Sequence, residues 1–88
     1  MSVPEVKEIT VLERIESTIE KSREGLYSIL YISLSGQDYV TLGNEFEAMS
    51  GRRFGVIDKV SSYPVYIDVT QKSCLVLIQH NYIERMKL

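Results

Sequence analysis

The stretch from Leu26 to Leu34 constrains the fold more than any other part of the chain. Tyr27, Ile29, Tyr31 and Ser33 alternate with Leu26, Ser28, Leu30, Ile32 and Leu34, so the run is apolar on nearly both faces. A strand of that pattern belongs at the centre of a sheet, because an edge or surface strand keeps one face polar. A second run, Cys74-Leu75-Val76-Leu77-Ile78, is the longest uninterrupted apolar stretch and is far too short to span a bilayer. Eighty-eight residues make one domain, 1–88, and leave little room for a deep cleft beside a core. Two-domain enzymes are thereby excluded.

Around these runs the chain offers mostly strand-length pieces. The segment Val6 to Ser22 stays open between two readings. Ile9, Leu12, Ile15 and Ile19 recur at helical spacing, with Ser2 and Pro4 as a start and Gly25 as a stop, which favours a helix over 4–22. Thr10-Val11 and Ser17-Thr18 weaken that helix, and Ile9, Val11 and Ile15 share one face of a strand. Ser35-Gly36-Gln37-Asp38 is a turn cluster. Residues 38–49 form a helix only if Gly43 is accepted in its middle. Arg53 to Val60 reads as a strand with Gly55 at a bulge or close approach, and Ser61-Ser62-Tyr63-Pro64 as a turn. Residues 65–69 and 74–78 read as a hairpin around Thr70-Gln71-Lys72-Ser73. Glycines at 25, 36, 43, 51 and 55 punctuate these pieces at short intervals, the pattern of a small barrel or sandwich.

Chemistry-bearing residues are sparse. Cys74 is the single cysteine and sits in an apolar run, where a thiol behaves as a buried hydrophobe. His80, the single histidine, follows that run and caps a strand end; along one strand it stands roughly 20 Å from Cys74, too far for a nucleophilic pair. Glu45 and Glu47 read as a solvated face. No metal-ligand spacing or phosphate-binding glycine motif is present, so neither a metal nor a cofactor is expected. Ten Lys and Arg against twelve Asp and Glu give a net charge of −2, which argues against wrapping nucleic acid over the whole surface and leaves room for a local basic patch. Arg52-Arg53 is the most basic point and reads either as solvated turn residues or as a grip for a phosphate or an acidic partner. Tyr63 and Tyr66 bracket Pro64-Val65 and serve equally as interface anchors or as half-buried packing. With no apolar h-region in Met1 to Glu20, the chain is expected to be cytoplasmic and away from membranes.

Taken together, Leu42-Gly43-Asn44-Glu45-Phe46, Phe54-Gly55-Val56-Ile57-Asp58-Lys59-Val60 and Pro64-Val65-Tyr66-Ile67-Asp68-Val69 resemble the small β-barrel subunit of box H/ACA ribonucleoprotein particles. That barrel is shared with the second domains of translation factors and with ribosome-maturation factors of the PRC-barrel type. The resemblance covers residues 12–70 and implies that Leu12-Glu13-Arg14-Ile15 is an opening strand. It also implies a non-catalytic subunit that docks on a pseudouridine synthase, touches RNA only indirectly, and tunes RNA loading and release.

The expected fold is therefore mainly β, a five- or six-stranded barrel, with an α+β domain carrying a helix at 4–22 on an antiparallel sheet as the alternative. The expected partner surface is Tyr63, Pro64 and Tyr66 with Gly55, Arg52 and Arg53, and the expected partner is a protein. A regulatory or viral-type domain that forms homo-oligomers or binds nucleic acid weakly is the competing function.

Overall fold

Among the described residues two helices and five strands follow one another as α1 (Val11–Glu24), β1 (Ser28–Leu34), α2 (Gly36–Ser50), β2 (Lys59–Val60), β3 (Tyr63–Ile67), β4 (Cys74–Gln79) and β5 (Tyr82–Lys87). The computed structural model describes residues 9–53, 55–68 and 72–88. The expected helix start at residues 2–8, Phe54, and the turn residues Thr70 and Gln71 lie outside that range.

Helix α1 forms because both ends are capped and one face is apolar. The Thr10 side chain accepts from the Glu13 N–H at the start, and the Gly25 N–H closes the last turn on Ser22 and Arg23 carbonyls. Val11, Ile15, Thr18, Ile19 and Ser22 line the buried face. The two hydroxyls there are satisfied inside the helix, Thr18 Oγ1 donating to the Arg14 carbonyl and Ser22 Oγ to that of Ile19. Leu12-Glu13-Arg14-Ile15 is thus helical, and the opening strand implied by the family resemblance is corrected.

Helix α2 spans the turn cluster and the short pieces after it. Ser35 caps it by accepting from the Asp38 N–H, and Gly51 ends it in the left-handed region at φ 71°, its N–H on the Glu47 carbonyl. Gly43 is tolerated mid-helix beside the chain at Ile57; a Cβ built there would lie 3.9 Å from Ile57 Cδ1.

The sheet order is β2-β3-β1-β4-β5. β1 runs parallel to β3 and antiparallel to β4, so it separates two segments read as one hairpin from sequence. That hairpin is a correction: β3 and β4 never pair, because β1, apolar on both sides, takes the central place. The strand expected over 53–60 contracts to Lys59–Val60, which meets β3 through a two-residue turn at Ser61-Ser62 with φ of 51° and 73°. A matching turn at His80-Asn81 joins β4 to β5.

Both helices cover one face of the sheet. Val11, Ile15 and Ile19 from α1 and Leu42 from α2 pack on Ile32, Leu34, Val65, Leu75 and Leu77 in one buried cluster. Each such side chain contributes roughly 2 kcal/mol by leaving water. The closed barrel is therefore corrected to an α+β domain with an open mixed sheet. The helices supply the cover that a barrel gains by closing, and β2 and β5 remain as edges. Charged Glu84, Arg85 and Lys87 on β5 disfavour pairing of that edge with another chain.

Candidate functional site

The face of the sheet turned away from the helices carries a second set of side chains. Residues directly opposite one another in a ladder share a face, so the register places them in rows. Tyr31 stands opposite Val76, and Val76 opposite Arg85. In the next row Tyr66 stands opposite Ser33, Ser33 opposite Cys74, and Cys74 opposite Lys87. A register shift between Ile29 and Tyr31 marks a bulge that turns Tyr31 onto this face.

Each row runs from a tyrosine, over small buried residues, to a cation. Ser33, Cys74 and Val76 are buried yet lie outside the helix-covered core cluster. The rings of Tyr31 and Tyr66 meet edge to face, with centroids 5.2 Å apart and planes at 88°, and hold each other in place. One shallow depression is lined by Tyr31, Ser33, Tyr66, Ile67 and Asp68, and another by Lys72, Ser73, Cys74, Arg85 and Lys87. Burial pushes the Cys74 thiol above its ordinary value; the Arg85 charge opposes that rise and Asp68 adds to it. A thiol held protonated in this way is a packing group.

At one end of β4 lies a polar network. Asp38 accepts from Arg14 Nη2 at 2.8 Å and from the Ser73 hydroxyl, while Ser73 Oγ accepts from the Ser35 N–H at 3.0 Å. Burial raises the Asp38 pKa, but the hydrogen bonds from Ser73 and Arg14, the Arg14 charge and the Ser35 bond outweigh it and hold the carboxyl below its ordinary value. The network joins α1, α2 and the start of β4. The base beside Ser73 is the Asp38 carboxylate, whose lowered pKa makes it a weak proton acceptor, while His80 sits in the turn beyond the far end of β4.

The residues singled out from sequence separate in space. Tyr66 is 58% exposed on the open face, whereas Tyr63 is half-buried against the helix-side core. Pro64 is half-buried opposite Lys59. Arg52 and Arg53 are exposed beyond the end of α2 and do not line the depression holding Tyr66. Gly55 is exposed, and a Cβ there would meet nothing within 4 Å, so no close approach requires a glycine. Glu45 is a cap for α1 rather than a solvated residue, and Glu47 is exposed. Sequence reasoning missed Tyr31, Arg85 and Lys87. The alternation Ile83, Arg85, Lys87 after the turn-favouring Asn81 was the available signal for the last two.

No group of His, Cys, Asp and Glu among the described residues could hold a metal ion, and no described helix is long and apolar enough to cross a membrane. No protein-family model, curated protein or solved structure matches the chain.

Proposed function

We propose that this chain is a non-catalytic binding domain that works through the open face of its sheet. The observation that carries the reading is the face the helices leave open, which holds the Tyr31–Tyr66 ring pair at one side and Ile83 with Arg85 and Lys87 on β5 at the other. Tyr66 is 58% exposed there beside the ring of Tyr31, and a ring left in water against a second ring is the kind of anchor that interfaces use. The ribonucleoprotein role implied by the family resemblance presupposes a closed barrel. An open sheet backed by helices favours the broader reading, a binding subunit within a larger assembly.

Site-specific photocrosslinking in cells tests which face works. A photoreactive residue replacing Ile83 is expected to give adducts, and one replacing Lys21, exposed on α1, is expected to give none. Adducts from position 21 alone would overturn the reading.

A further inference from the structure

Charge is segregated between the two layers. Helix α1 carries Glu13, Glu16, Glu20 and Glu24 against Arg14, Lys21 and Arg23, and α2 carries Asp38, Glu45 and Glu47 with no Lys or Arg, so the helix layer is net negative. The open sheet face instead carries Arg85 and Lys87 in its two rows, with Lys72 beside them and Lys59 opposite Pro64. Among the described residues neither Arg85 nor Lys87 is in an ion pair; the ion pairs there join Arg14 to Asp38 and Arg23 to Glu20. Among the described residues Asp68 is an acid on this side, just beyond the end of β3 and near Cys74.

The rows set the rings of Tyr31 and Tyr66 on one side of this face and Arg85 and Lys87 on the other, with the buried Val76, Ser33 and Cys74 between them. Each side has its own shallow depression. At about 4.8 Å per strand, β5 stands roughly 10 Å from Tyr31 on β1 and roughly 14 Å from Tyr66 on β3. An extended chain with flat groups along one side and negative charges along the other matches that placement of rings and cations.

Resting on the proposal that the open face is the binding surface, we infer that its occupant is single-stranded nucleic acid. Bases pack against the Tyr31 and Tyr66 rings, and phosphates lie along Arg85, Lys87 and Lys72. Unpaired bases are required, because a base within a duplex cannot present its flat face to a ring. A second copy of the chain fits less well, since it would set one cationic face against another while the acids lie on the helix side.

Fluorescence anisotropy with short labelled oligouridylate and oligodeoxythymidylate, on the full chain at low salt, tests this. Binding is expected to be saturable and to weaken with salt at a log–log slope of about −2, as for three phosphates neutralised on a single strand. Tyr66→Ala is expected to weaken it about ten-fold. Arg85→Ala with Lys87→Ala is expected to flatten the salt slope, and Lys21→Ala to change neither, each variant first being shown to unfold cooperatively. No binding to either strand, or binding that Tyr66→Ala leaves untouched, overturns the inference. If oligonucleotides fail while position 83 still crosslinks to a protein, the binding face stands and its nucleic-acid occupant falls. If position 83 gives no adduct and position 21 does, the binding face itself falls.

Discussion

The Glu45 side chain, in the third turn of α2, accepts a hydrogen bond from the backbone N–H of Val11 at 2.9 Å across 34 residues of sequence. Its other oxygen accepts from the Leu12 N–H at 3.0 Å, and Thr10 Oγ1 takes the Glu13 N–H. The first three N–H groups of α1 are thereby satisfied, two of them by the other helix. A carboxylate also suits the positive end of the helix dipole. Glu45 thus helps to cap α1 and, with the Arg14–Asp38 pair, ties it to α2.

Removing that cap should cost stability without touching the sheet face. Glu45→Ala is expected to lower unfolding free energy by about 1–2 kcal/mol, by the general cost of a lost cap. Glu47→Ala, on the exposed side of the same helix, is expected to change it by less than about 0.5 kcal/mol. Urea denaturation of both variants checks the contrast.

Asp38 makes the fold sensitive to acid. Its folded pKa lies below its unfolded one, so its contribution is present above about pH 4 and is lost as pH falls through the lower folded value. Urea midpoints of the wild type are expected to drop more steeply below pH 4 than those of Asp38→Asn. Equal slopes would show that the Arg14 and Ser73 contacts contribute nothing to the acid response.

Gly43 is a place where the chain gives up stability. It lies inside α2, its position admits a Cβ at ordinary contact distance from Ile57, and glycine is a poor helix former. Gly43→Ala is expected to raise stability by about 0.5–1 kcal/mol. A higher thermal midpoint in a calorimetric scan is the readout, and a lower one would mean that the segment near Ile57 cannot yield.

Much of the frame is legible in the residues themselves. The double-faced run gives β1, the apolar run gives β4, and the i, i+4 spacing of Ile15 and Ile19 with Gly25 at the end marks α1. What is not legible depends on pairing. Glycine spacing suggests closure into a barrel, but the parallel partnership of β1 with β3 is a tertiary choice that no local signal specifies. α2 is obscured by Gly43 and the β-branched pair Val40-Thr41, whose propensities its caps and buried Leu42 override. The candidate site is harder still. Tyr31 reads as core within a central strand, and only the bulge and the β1–β4 register turn it toward Tyr66. Arg85 and Lys87 join the site through the β4–β5 register alone.

The two tyrosines flanking Pro64-Val65, alike in sequence, should therefore separate in experiment. Tyr63 is half-buried against the core that holds Val60 and Val65, so truncating it removes packing from that core. Tyr63→Ala is expected to cost about 2–3 kcal/mol, somewhat below the range for a fully buried ring. Tyr66 keeps 58% of its surface in water and touches Tyr31 across the open face. Its replacement by alanine forfeits mainly that ring contact, about 0.5–1.5 kcal/mol. Thermal unfolding of the two variants should thus show the larger fall for Tyr63→Ala, while only Tyr66→Ala weakens oligonucleotide binding out of proportion to its effect on stability. A reversed order would move Tyr66 into the structural core and leave the open face without its central ring.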